Sequence, residues 1–145
     1  MIRIIKRNGS VEALSEEKYN RVVMWATDGV DGVSASAVAM GAAASIVDGM
    51  TTSQVHDALI KAAADLISAD TPNYSQVAAR LSIFKIRKDA FGEYTYPSFY
   101  HHIVSNVSRG VYDEDLLKFY SREEIAELGV YIKPMRDELF GYAAT

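Results

Sequence analysis

The chain has 145 residues, a formal net charge of −4 and an ordinary globular composition, 49% hydrophobic and 23% charged. This length indicates one domain, or one domain and the start of another, and the acidic balance argues against a nucleic-acid binder, which needs a basic surface. The absence of cysteine excludes disulfides, cysteine zinc sites, iron–sulfur clusters and thiol catalysis. The longest uncharged stretch, 32–47, is too short to span a bilayer, and no signal peptide follows Met1. We therefore expect a cytoplasmic chain without membrane contact.

The first segment predicts a β-hairpin. Ile2, Ile4 and Lys6 alternate with Arg3, Ile5 and Arg7 as the two faces of a strand, and Asn8-Gly9 follows. Asn-Gly between short strands predicts a type I′ turn, since both residues tolerate a positive φ. The positively charged residues Lys6 and Arg7 directly precede this turn, and Glu12 lies in the second strand.

Four helices are predicted after the hairpin. The first covers about 16–27. The second begins at 34 or 36 and ends at about 48. The third and fourth cover about 52–68 and 73–91. Ser15 is a suitable N-cap for the first, and Thr51-x-x-Gln54 has the form of a capping box for the third. Helical spacing places an apolar stripe on the first, third and fourth; the stripe residues are Tyr19, Val22, Val23, Ala26, Val55, Leu59, Ala62, Ala63, Leu66, Tyr74, Val77, Leu81 and Phe84. Trp25 is expected in the core or in packing between subdomains.

The pattern changes at about Glu93. Short helices are predicted over about 97–109, 112–120 and 121–128, and the remainder is weakly patterned. The sequence therefore predicts a mainly α fold with a small N-terminal β-hairpin, divided into a domain at 1–92 and a second region at 93–145.

Several cations and polar residues are candidates for binding an anion. Lys88 continues the apolar row of the fourth helix, where it either meets an anionic partner or extends to solvent at a favourable helix C-terminus. Lys18 lies in the first turn of a helix, where a cation opposes the helix dipole, although an ordinary surface lysine fits too.

Thr52 and His56 lie one turn apart at the start of the third helix. Free amides, a hydroxyl and an imidazole there suit a phosphate or ribose, whereas a capped helix with a half-buried histidine is the simpler interpretation. Glu12 is either a hydrogen-bond acceptor for a sugar or base, or a solvated strand residue. No Walker A motif, dinucleotide fingerprint, zinc-protease motif or nucleophile elbow is present, so we predict no catalytic residue and no metal site made by side chains.

Together these segments resemble the ATP-cone, the N-terminal allosteric domain of class I ribonucleotide reductase large subunits. The resemblance rests on Lys6-Arg7-Asn8-Gly9-Ser10 and Asp48-Gly49-Met50-Thr51-Thr52, and on the segments 25–26, 60–68, 70–74, 78–81 and 87–88. It continues into the helical region that follows the cone, at 94–97, 110–113 and 142–144.

The resemblance implies a hairpin lid over a helical bundle, with ATP or dATP and Mg²⁺ beneath the lid. Matched by position, the implied nucleotide-binding residues are Lys6, Arg7, Glu12, Ala13, Leu14, Ser15, Glu16, Glu17, Lys18, Thr52, His56 and Lys88. Gln54 and Lys85 depart from the bacterial pattern, which often has Asp and His there, and this leaves the inhibitory response to dATP open.

The implied function is allosteric control of ribonucleoside-diphosphate reduction, with ATP favouring activity and dATP inhibiting it. The implied partners are the remainder of the large subunit, the radical-generating small subunit and further copies in a homo-oligomer. Reduction in this family needs a thiyl radical and a cysteine pair, so this chain alone is not expected to be an enzyme. Two alternatives are an ATP-cone of a nucleotide-responsive transcriptional regulator and a helical interaction module without a ligand.

Overall fold

The computed structural model describes all 145 residues and contains seven α-helices and one two-stranded sheet. The strands are β1 (Arg3–Ile5) and β2 (Val11–Ala13), and the helices are α1 (Glu16–Thr27), α2 (Ala35–Ala43), α3 (Thr52–Asp65), α4 (Tyr74–Phe91), α5 (Phe99–Ser108), α6 (Asp115–Phe119) and α7 (Arg122–Gly129). Short 3₁₀ helices occupy Pro134–Leu139 and Tyr142–Ala144. The predicted mainly α fold with a small hairpin is confirmed. None of the helices combines the length and apolarity needed to cross a membrane.

The hairpin forms where it was predicted, but its turn differs. The strands are antiparallel, with Ile4 opposite Glu12. The prediction of a type I′ turn is wrong, because Gly9 has a φ of +84° while no non-glycine residue has a positive φ. The amide of Lys6 donates to the Ser10 carbonyl and that of Gly9 to the Lys6 carbonyl, the pattern of a three-residue loop that ends in a left-handed glycine. Asn8 instead uses its side-chain oxygen to accept from the Ser10 amide at 3.0 Å.

Side-chain caps fix the starts of the helices. Ser15, Ser34 and Ser98 each accept a hydrogen bond from a first-turn amide of α1, α2 and α5, and the predicted capping box of Thr51 and Gln54 is present at α3. Two helices end earlier than their sequence pattern predicts. α2 stops at Ala43, where Ser45 donates through its hydroxyl to the Ala42 carbonyl, and α3 stops at Asp65.

The predicted apolar stripes form the core. Leu81, Val23, Val38 and Val77 are the largest fully buried side chains, and α2 packs against both α1 and α3. Tyr19, Leu66 and Phe84 are half-buried rather than enclosed. Trp25 is 48% exposed, so it does not belong to the core, and packing between subdomains remains a prediction for it.

The chain divides into two compact units. The first contains Met1–Ile86 together with Asp137–Thr145, and the second contains Arg87–Arg136. Within the second unit α5 packs closely on α7, because Gly129 allows an approach at which an added Cβ would lie 2.7 Å from the Cβ of Phe99. The functional boundary at 92/93 remains a prediction.

Candidate functional site at the hairpin and the start of α3

The hairpin is attached to the segment that leads into α3. The Ile5 amide donates to the Met50 carbonyl at 2.9 Å, and the Gly49 amide donates to the Arg3 carbonyl at 2.9 Å. Ile5 also forms a parallel bridge with Thr51. β1 therefore lies between β2 and this segment, and Lys6 and Arg7 leave β1 beside the first turn of α3.

An ion pair reinforces this attachment. Asp48 accepts from the Arg3 amide at 2.7 Å and from the Arg3 guanidinium at 3.0 Å. The hydrogen bonds from Arg3 hold the pKa of Asp48 below its ordinary value, and the same contact raises the pKa of Arg3. Both side chains are exposed, so the pair sets the position of the hairpin more than it contributes to stability.

The first turn of α3 presents a hydroxyl and unpaired backbone donors. Thr51 is the N-cap, and its hydroxyl accepts from the Gln54 amide at 3.2 Å. Thr52, the first helical residue, is half-buried. The amides of Thr52 and Ser53 have no acceptor inside the helix, as in any first turn. This helix end can therefore donate to an anion.

His56 lies one turn further along and is buried, with 7% of the residue exposed. Its Nε2 lies 2.8 Å from the carbonyl oxygen of Leu81; since a carbonyl can only accept, Nε2 carries the proton. Burial is the main cause that lowers the pKa of His56, and the charges of Lys85 and Arg7 lower it further, whereas the Leu81 hydrogen bond and Asp57 oppose the shift. His56 thus joins α3 to α4 as a neutral imidazole.

Arg7 and an ion pair between α3 and α4 surround this histidine. Nζ of Lys85 lies 2.5 Å from Oδ1 of Asp57, and both residues act on His56 electrostatically, as does Arg7 from the hairpin turn. Sequence reasoning did not place Asp57 and Lys85 among the site residues. The signal that could have found them is their spacing: Asp57 follows His56, and Lys85 lies one turn after Leu81.

The remaining candidates of the hairpin and of α1 are mostly exposed. Lys6 and Glu12 face each other across the hairpin, with 3.9 Å between Nζ and Oε2. Ala13 ends β2, the Leu14 amide donates to the Ile2 carbonyl, and Ser15 caps α1 by accepting from the Lys18 amide. Glu16, Glu17 and Lys18 are exposed in the first turn of α1, where Glu17 pairs with Arg21.

Lys88 belongs to the second compact unit. It lies in the last turn of α4, and its Nζ is 5.0 Å from the ring centroid of Tyr94. An aromatic ring therefore faces its ammonium in the free protein. The first unit brings together Lys6, Arg7, Thr52 and His56 around the hairpin and α3. No group of three or more His, Asp or Glu residues is placed to hold a metal ion.

Comparison with known families identifies the family to which this chain belongs. The profile of the ATP cone domain matches residues 2–89. The chain belongs to the ATP-cone family.

The curated relatives are reductase subunits. The chain is 45% identical over 141 residues to ribonucleoside-diphosphate reductase 1 subunit alpha of Salmonella typhimurium and 44% identical to that of Escherichia coli, and each match covers 97% of this chain and 18% of the relative. It is 38% identical over 143 residues to the ribonucleoside-diphosphate reductase subunit alpha of Enterobacteria phage T4, covering 99% of this chain and 19% of the relative. The chain thus spans about a fifth of the length of these relatives.

Proposed function

We propose that the chain is the nucleotide-binding regulatory region of a ribonucleoside-diphosphate reductase alpha subunit, and that it binds ATP or dATP with Mg²⁺. The observation that carries this proposal is the attachment of the hairpin to the start of α3. It gathers the cations of Lys6 and Arg7 and the donors of Thr52 in one compact unit. Family membership supports an adenine nucleotide as the anion.

Each candidate residue has a role suited to its chemistry. Lys6 and Arg7 of the hairpin, and Lys88 of α4, would neutralise phosphate charge, since cations give charge-assisted hydrogen bonds to phosphate. Thr52 would donate from the helix N-terminus, and His56 would act as a neutral hydrogen-bonding group because burial disfavours its cation.

The segment from Glu12 to Lys18 would pass along the base and sugar. Ala13 and Leu14 can offer backbone groups and apolar contact there, whereas Ser15, Glu16 and Glu17 can offer acceptors. Mg²⁺ would arrive bound to the nucleotide phosphates, as it commonly does in nucleotide sites.

The extent of the sequence match favours a reductase over a transcriptional regulator. The ATP cone profile ends at residue 89, yet the reductase subunits match 97–99% of the chain, including the region beyond the cone. A regulator that shares only the cone has no reason to match this second region. A helical module without a ligand would in turn leave the cations around the start of α3 unexplained.

The proposed role is control of overall reductase activity in the cytoplasm, with ATP activating and dATP inhibiting. Its partners would be the rest of the alpha subunit, the radical-generating small subunit and further copies of the alpha subunit. The chain contains no cysteine, so it would regulate the reaction without carrying it out. Such a switch requires ATP and dATP to make different contacts in two conformational states of the protein, because a ligand that binds both states equally well does not change their populations.

Calorimetry and thermal unfolding with nucleotide test the proposal directly. ATP and dATP with Mg²⁺ should bind this chain, and a ligand at 100 times its Kd should add about 2.7 kcal/mol to the free energy of unfolding. A variant with Arg7→Gln and Lys6→Gln should bind more weakly, whereas Lys61→Gln, an exposed site on α3 paired with Asp65, should bind normally. A folded sample that neither binds nor gains stability in millimolar ATP or dATP would contradict the proposal.

A further inference from the structure

Two consecutive cations at the end of α4 each face one of two tyrosines in the segment after it. The guanidinium carbon of Arg87 lies 4.8 Å from the ring centroid of Tyr96, and Nζ of Lys88 lies 5.0 Å from that of Tyr94. Both distances are within the range of a cation–π contact. All four residues belong to the second compact unit.

Further contacts fix the tyrosine segment on the helix. Arg87 also donates to the carbonyl of Tyr94 at 3.4 Å and to that of Pro134 at 3.3 Å. Phe91, one turn after Arg87, packs against Tyr96 with 5.4 Å between ring centroids. Gly92, with a φ of +76°, ends the helix and turns the chain back towards these side chains. The backbone at Tyr94 is therefore held by Arg87, independently of Lys88.

We propose that Tyr94 is a positioning residue for Lys88: its ring holds the ammonium in place before the nucleotide phosphate binds. The inference rests on the proposed function, in which Lys88 contacts phosphate. A free lysine has several rotatable bonds and loses much rotamer freedom when its ammonium is fixed. A ring against one side of the ammonium reduces that loss and leaves N–H donors on the other side for an anion. Preorganisation of this kind raises affinity without adding a contact to the ligand.

A double-mutant cycle with Lys88 tests the inference. In Tyr94→Leu the aromatic face is lost, and ATP should bind about two- to fivefold more weakly, the range that a half-exposed cation–π contact supports. Tyr94→Phe retains the face and should bind like the parent chain. Tyr96→Leu is the matched control, because its ring faces Arg87, and it should bind within twofold of the parent. In a Lys88→Ala background Tyr94→Leu should have no further effect, since the ring then has no ammonium to position.

The outcomes separate this inference from the proposed function. Circular dichroism and melting without ligand establish that each variant is folded, and Tyr94→Met, which keeps a long apolar side chain without a ring, replaces Tyr94→Leu if that variant is unstable. Absence of ATP binding to the parent chain would overturn the proposed function and this inference with it. Binding by the parent, combined with parental or tighter affinity in Tyr94→Leu, or with an equal loss in the Lys88→Ala background, would overturn the inference alone.

Discussion

At the scale of single residues, His56 shows how burial decides what a side chain can do. The sequence left open an imidazole that faces a phosphate or ribose and a half-buried histidine, and the structure buries the ring and hydrogen-bonds its Nε2 to the carbonyl of Leu81. Desolvation then favours the neutral form. An imidazole in this state can orient a ligand by hydrogen bonding, whereas the positive charge of the site must come from lysine and arginine.

The lowered pKa of His56 predicts a loss of stability in mild acid. The unfolded chain takes up the proton at a pKa of about 6.5, and the folded chain does so only at lower pH. Because the unfolded state binds more protons in that interval, the free energy of unfolding should fall as pH decreases below about 6.5, by at most about 1.4 kcal/mol per pH unit. Urea unfolding between pH 5 and 8 measures this slope. It should become flatter in His56→Gln and remain in His101→Gln, which changes an exposed histidine.

The Lys88→Ala substitution should reduce ATP affinity much more than it reduces the stability of the protein without ligand. If Lys88 contacts phosphate, the variant should lose about 1.5–3 kcal/mol of ATP binding, the range for a hydrogen bond to a charged group. Since Lys88 already faces Tyr94, stability without ligand should fall slightly, by about 0.5–1 kcal/mol. Calorimetry and melting on the same sample give both quantities. An unchanged ATP affinity in a destabilised variant would remove Lys88 from the site.

At the scale of elements, local sequence chemistry predicted the helices more completely than it predicted the hairpin. Caps and apolar spacing act within a few residues, so the starts of α1 and α3 and the stripe through Val77 and Leu81 could be derived. The hairpin turn could not, because Asn8 uses its side chain for the Ser10 amide and leaves only Gly9 with a positive φ. The attachment of β1 to Met50 depends on a contact between distant parts of the chain, which periodicity does not show.

The same difference applies to the candidate site. Lys6, Arg7, Thr52 and His56 were identified from their types and spacing, while the Asp57–Lys85 pair and the ring facing Lys88 depend on packing between elements. Local patterns thus indicated candidate anion-binding groups, and tertiary structure determines which of them are buried or already paired.

The N-cap of α3 allows a prediction at the scale of elements, because its loss should affect both the stability of the protein and the proposed nucleotide site. Thr51→Ala removes the hydroxyl that accepts from the Gln54 amide, and Ser34→Ala removes the equivalent group at α2. Each substitution should cost about 1 kcal/mol of stability. Only Thr51→Ala should also weaken ATP binding, because the first turn of α3 carries Thr52 and lies against β1. Equal ATP affinities in the two variants would show that the start of α3 does not form part of the nucleotide site.

At the scale of the whole molecule, the compact units do not follow the order of the chain. The segment Asp137–Thr145 belongs to the same unit as Met1–Ile86, although the 50 residues of the second unit, Arg87–Arg136, separate the two along the chain. Two contacts hold it there. Glu138 lies 3.7 Å from the guanidinium of Arg80, and the Tyr142 amide donates to Oγ of Ser75 at 3.1 Å.

Arg80 is the central residue of this arrangement. Its side chain is only 13% exposed, and it donates to the carbonyl of Asp28 just after α1 at 2.6 Å. A largely buried guanidinium needs acceptors for its donors and a compensating charge. Asp28 supplies one carbonyl, and Glu138 is the carboxylate within ion-pair distance. The last residues of the chain therefore complete the surroundings of a cation that joins α4 to α1.

We accordingly expect a chain shortened to residues 1–136 to fold but to be less stable than the full chain. Loss of the carboxylate at Arg80 and of the contact at Ser75 should lower the free energy of unfolding by on the order of 1 kcal/mol, because a partly buried cation would keep its hydrogen bonds to carbonyl groups without a countercharge.

Glu138→Gln in the full chain should reproduce part of this loss of stability. Glu127→Gln on α7 should not, because Glu127 forms no ion pair with Lys or Arg. Urea unfolding of the four proteins gives the comparison. ATP affinity should be nearly unchanged by the truncation, since none of the proposed nucleotide ligands lies beyond Arg136. If the shortened chain were as stable as the full one, the terminal segment would have no part in holding the first unit together, and the charge of Arg80 would be balanced by its carbonyl partners alone.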